Sequence, residues 1–162
     1  MKLSNLLSLQ EATASFRAKQ LGIDNTPTPE HIENLRWIAN NIYDPIKTNF
    51  PNMILEVAYR NPQVNKAVGG AKNSQHMVGE AIDIDDKNES RVENKKVFDW
   101  VVKNLNFDQI IYEFGDDTGP DWIHISCKRG NVGNRKKITK AIRVTSTVNG
   151  KQVSTTRYVP YT

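Results

Sequence analysis

The sequence predicts an α+β fold, a small antiparallel sheet with N-terminal helices packed around it. Three observations predict it. Helical periodicity is confined to the first fifty residues and one later segment. Four short β-forming runs occupy the centre of the chain, and two alternating runs near its end flank an Asn149-Gly150 turn. At 162 residues the chain is most simply one domain, with a helical part at 1–50, a core at 51–127 and a basic C-terminal hairpin or tail at 128–162.

Each element has a local reason. Ser8-Leu-Gln-Glu11 has the form of a capping box and Gly22 is a natural stop, so residues 9–20 are expected to be helical. Thr28 followed by Pro29 reads as an N-cap with proline at the first helical position. From there Ile32, Leu35, Ile38, Ile42 and Ile46 recur at helical spacing to about Lys47, and Pro45 implies a kink or break late in that helix. His31, in its first turn, is expected to face solvent. Met53–Arg60 reads as a strand, and Asn61-Pro62 starts a helical turn that ends at Gly69-Gly70. In "EAIDID" Ile82 and Ile84 fall on one face and Asp83 and Asp85 on the other. Val92 to Leu105 is an amphipathic helix through Val97, Phe98, Val101 and Val102. "DQIIYEF" and "DWIHISC" are two further strands joined by "GDDTGP", whose acids Asp116 and Asp117, like Asp85 and Asp86, are expected to be solvated turn carboxylates.

Composition removes several classes of function. No apolar run approaches the roughly 20 residues of a membrane span. Gln10 and Glu11 cut the opening leucine stretch short, so no secretory signal is expected and the chain is expected to be made in the cytoplasm. One cysteine, Cys127, excludes an internal disulfide framework and any multi-cysteine metal knuckle. The net charge of +4 is unevenly spread: residues 1–127 carry 13 Lys and Arg against 18 Asp and Glu, while 128–162 carry nine basic residues and no acid. A basic tail on an acidic body suits a polyanion such as an acidic cell-wall polymer. Nucleic acid is disfavoured, because the tail lacks aromatic interleaving and any recognition motif.

The chemistry lies in "SQHMVGEAID" and "DWIHIS", which hold two of the three histidines. Period two puts Trp122, His124 and Ser126 on one strand face, opposite Ile123, Ile125 and Cys127, so Cys127 is expected to be a core thiol. Gly79 lets the loop bearing His76 turn back towards Asp83. Two histidines and one carboxylate are a sensible set of three protein ligands for a catalytic zinc, with a position left for water.

"SxHxxGxAxD" followed by "WIHIS" resembles the motif pair of the M15 metallopeptidases, the D-alanyl-D-alanine carboxypeptidases and related cell-wall endopeptidases. Ser74, His76, Gly79, Ala81 and Asp83 match the first motif, and Trp122, His124 and Ser126 the second. The resemblance covers about residues 54–127. It implies zinc ligands His76, Asp83 and His124 on the α+β scaffold shared by hedgehog domains and DD-peptidases. It also implies a general base for the attacking water. Glu113, in "QIIYEFG", matches a glutamate many members carry there and is preferred; Asp121, three residues before His124, is the second choice. Arg60 resembles the family's substrate-binding arginine, able to grip a carboxylate or a polarised carbonyl. Ser74 is expected to bind substrate or orient a neighbour, and Trp122 to wall the cleft.

The expectation is a monomeric zinc peptidase that cuts a bond in peptidoglycan stem peptides, of the phage endolysin type, released to the wall after synthesis. Two rivals use the same ligands. Fe(II) oxygenases also employ two histidines and a carboxylate, but place His and Asp one residue apart on a β-barrel rather than seven apart. A hedgehog-like, zinc-holding but non-catalytic wall-binding module would need neither a base nor Arg60.

Overall fold

The computed structural model describes residues 1–162. Six strands, β1 (Met53–Val57), β2 (Ala81–Asp86), β3 (Gln109–Glu113), β4 (Trp122–Ser126), β5 (Lys137–Val148) and β6 (Lys151–Pro160), lie in one sheet in the order β1-β2-β4-β3-β5-β6. The architecture is α+β as expected, but the sheet is not wholly antiparallel, because β3 and β5 pair in parallel. The cause is the path of residues 127–136. They carry the chain from the end of β4 past β3 to its far side. A strand returning antiparallel to β4 must run parallel to β3, which is itself antiparallel to β4. Asp108 pins the crossing: its carboxylate accepts the Arg135 backbone N–H at 3.0 Å and the guanidinium at 3.0 and 2.7 Å.

The helices follow their caps. The single helix expected over 9–20 is two, α1 (Leu9–Thr13) and α2 (Phe16–Leu21), because Ser15 starts a new one by accepting the Ala18 N–H. Thr28 caps α3 (Pro29–Ile38), which continues into a π-helical turn at Ala39–Tyr43 and then α4 (Asp44–Asn49). Pro45 explains that turn. It has no N–H to extend the ladder, and the Asp44 N–H reaches back five residues to the Ala39 carbonyl. Asn61 caps α5 (Pro62–Ala67), and Ser90 caps α6 (Arg91–Asn104).

One sheet face builds the core. Ile82, Ile84, Ile110, Ile123 and Ile125 are fully buried beside Leu35, Ile38, Val97 and Val101. Burial of each such side chain contributes about 1.5–3 kcal/mol. Tyr161, just after β6, stacks on Tyr112 and packs against Phe98, so the chain's end closes this core. Cys127 is buried there as a free thiol. Two surface expectations are corrected. His31 is half-buried against Tyr59, with ring centroids 5.5 Å apart. Asp86 is buried, its carboxylate accepting the Asn88 and Ser90 N–H groups. The opposite face of the sheet is left for polar side chains.

Candidate metal centre and cleft

β2 and β4 are antiparallel neighbours, and their register sets Asp83 directly opposite His124. The alternation that buries the isoleucines turns both side chains to the polar face. His76 arrives separately, on a 3-10 turn at Gln75–Val78. Ser74 opens that turn, its Oγ accepting the His76 N–H at 3.3 Å, and Gly79 closes it at φ 76°. A Cβ at position 79 would lie 2.6 Å from the His31 carbonyl oxygen. Left-handed backbone and close approach together leave room for glycine only.

The register slips between Leu55 and Val57, and the chain leaves the sheet after Val57, so the strand expected to reach Arg60 stops early. This brings the Ala58 carbonyl within 2.6 Å of His76 Nδ1. That nitrogen must donate, which leaves Nε2 of a neutral ring with a bare lone pair, 3.2 Å from Asp83 Oδ1. His124 Nδ1 stands 2.9 Å from the same oxygen. Two ring nitrogens converging on one carboxylate oxygen call for protons or a cation between them. The three ligand atoms lie within 4.8 Å of one another, so the donor set fits a metal ion. Burial opposes ionisation of Asp83, but where protons rather than a metal fill the gap, the positive charge this gives His76 and the hydrogen bonds from both rings outweigh burial and hold the carboxyl well below its usual range.

Glu113 shares this face. On β3 it pairs with Trp122, while Ile111, two residues back, pairs with His124. It is 7% exposed, and burial pushes its carboxyl up to about 7, with His124 opposing and Asp83 adding to the rise. Such a carboxyl can take up or release a proton near neutral pH. Arg60 is half-buried with its Nε unpartnered, and burial draws its guanidinium pKa down against the pull of Asp83. Trp122 packs on Phe114 with ring centroids 5.3 Å apart.

Arg60, Ser74, His76, Asp83, Glu113, Trp122 and His124 all line one cleft of about 450 Å³. Asp121 does not; Arg91 Nε holds its carboxylate at 2.8 Å on the far side of the loop. The same cleft is lined by Lys137, Thr156 and Tyr158 of the basic C-terminal hairpin, for which the sequence suggests no part in the site. The signal that would have found them is the two-residue period of β6, which puts Thr156 and Tyr158 on one face.

The family model described as Peptidase M15 matches residues 5–126. No curated protein matches the chain.

Proposed function

This chain belongs to the M15 peptidase family, and from that membership we propose that it is a zinc peptidase cutting a peptide bond in the stem or cross-link of bacterial peptidoglycan. The observation that carries the proposal is Glu113, a buried carboxyl on the sheet face of the His76–Asp83–His124 cluster, with the unpartnered Arg60 in the same cleft. A metal-binding module without catalysis needs neither group.

His76, Asp83 and His124 would hold the zinc, with the Ala58 carbonyl fixing the tautomer of His76. When bound, the ion supplies Lewis acidity that acidifies a water and polarises the scissile carbonyl. Glu113 accepts the proton of the attacking water and returns it to the leaving amine. Arg60 grips the substrate's carbonyl or carboxylate. Ser74 keeps His76 in place through its backbone, and Trp122 walls the cleft. Asp121 is less suited as the base, since Arg91 already occupies it.

We assign the scaffold to the hedgehog/DD-peptidase type and treat 1–162 as one peptidase domain. We further assign a phage-type lysis role, with a monomer reaching the wall after release, and contact of the basic segment with anionic wall polymers. Mass spectrometry of muropeptides released from purified sacculi tests the activity. A new amino or carboxyl terminus on the stem, absent with Glu113→Gln, is the expected result; no new terminus on walls of any chemotype overturns it.

A further inference from the structure

Resting on the peptidase reading above, we propose that the β5–β6 hairpin is the second wall of the substrate cleft and that Tyr158 positions the bound peptide through its phenol hydroxyl. The hairpin lies outside the segment that matches the family model, which ends at residue 126. Register nevertheless carries it to the site. Glu113 pairs with Ala141 across β3 and β5, and Ala141 pairs with Tyr158 across β5 and β6. Paired residues share a face, so Glu113, Ala141 and Tyr158 form one row on the face of the histidines.

The middle residue of that row matters most. Ala141 presents only a methyl group, itself covered by its neighbours, so no long side chain of β5 rises between Glu113 and Tyr158, and both of these line the same cleft. Two strand spacings separate them, about 10 Å. A peptide lying in the cleft that both residues line would meet hydrogen-bonding groups from each of them. Tyr158 is 53% exposed, so its ring borders the cleft without filling it. Partial burial, with Glu113 and Asp83 adding, raises its pKa and keeps the phenol a donor at neutral pH. The chemistry it can meet is a peptide carbonyl oxygen.

The arrangement is braced. Arg143 of β5 lies over the Phe114 ring at 4.2 Å, and the Phe114 N–H donates to the Ala141 carbonyl at 3.1 Å. Phe114 sits at φ 57°, unusual for a bulky side chain, directly after Glu113. The hairpin therefore fixes the backbone next to Glu113 as well as offering Tyr158. Arg60 follows β1, at the other end of the strand order, so the metal ligands lie between Arg60 and Tyr158. A peptide crossing the ligands would be held from both sides.

The test uses the full, zinc-loaded chain, a synthetic stem pentapeptide and the variants Tyr158→Phe and Tyr158→Ala. Peptide affinity is measured by calorimetry in a Glu113→Gln background, and kcat and KM with Glu113 intact. Loss of one neutral hydrogen bond should weaken affinity and kcat/KM roughly three- to tenfold in Tyr158→Phe, and more in Tyr158→Ala. Zinc content and thermal midpoint should stay at the parent values in Tyr158→Phe. Thr155→Ala, three positions away on the opposite face of β6, should behave as the parent. If the parent binds and cuts the peptide and both Tyr158 variants do so equally well, the hairpin's role is overturned. If the parent neither binds nor cuts it, the peptidase reading itself fails.

Discussion

At the scale of the residue, Glu113 ties the stability of the fold to the same proton that the proposed mechanism uses. A carboxyl that ordinarily titrates at 4.5 is raised to about 7 by burial. Between those values the folded chain holds a proton that the unfolded chain has released, so stability falls as pH rises through the window. This is the reverse of an ion-paired carboxylate, and above the window the buried charge costs on the order of 3 kcal/mol. In metal-free protein, Glu113→Gln should therefore raise the thermal midpoint at pH 8 and leave it unchanged at pH 4. Equal effects at both values would exclude burial as the cause. With metal present, the same variant should keep the ion and lose roughly 10²–10⁴ in rate. A larger loss in Asp121→Asn would transfer the base to that residue. His76→Ala, Asp83→Ala and His124→Ala should each abolish zinc binding in a metal analysis, whereas Asp85→Ala should retain it. Asp85 shares the strand face of Asp83 but stands outside the cluster, its carboxylate accepting from Asn94 at 2.7 Å.

At the scale of the element, Gly79 ends the turn that carries His76, and its substitution tests how far local backbone governs the metal. Gly79→Ala must adopt a left-handed conformation, at roughly 1–2 kcal/mol, and must also push against the His31 carbonyl. Both a lower thermal midpoint and weaker zinc affinity are expected; unchanged affinity would show that His76 tolerates movement of its turn. The clustering of His76, Asp83 and His124 was legible in the sequence because each effect was local. Alternation put Asp83 and His124 on the polar face of their strands, and Gly79 marked the return of the loop. The neighbours of the hairpin were not legible. Residues 127–136 have no periodicity, and the ion pair that fixes their path joins Asp108 to Arg135 across 27 positions. Nothing in "STTRYVP" marks Tyr158 either, because the role proposed for it depends on a pairing that sets it two strands from Glu113 with the small Ala141 between them. The split of the first helix at Ser15 was a different oversight, since that serine is a cap of an ordinary kind.

At the scale of the whole molecule, the basic segment cannot be treated as a detachable patch. Lys137 lines the cleft, Arg135 holds Asp108, and Lys140 lies 5.0 Å from the centre of the Tyr112 ring. Charge removal that tests wall binding should instead use the exposed Arg129, Lys151 and Arg157. If these hold the chain on an anionic polymer, their neutral variants should bind sacculi more weakly and with a flatter salt dependence, since exposed charges are screened over about 8–10 Å near physiological salt. Turnover of a soluble stem peptide should not change, and unchanged sacculus binding at low salt would leave the charge without a targeting role. The hairpin also ends in Tyr161, which stacks against Tyr112 in the core. One segment thus seals the interior on one side of the sheet and borders the cleft on the other. A chain cut short before it would lack the aromatic plug as well as the rim of the cleft. The three clustered side chains are all in place by residue 124, but a nascent or clipped product that carries them has no finished cleft around them.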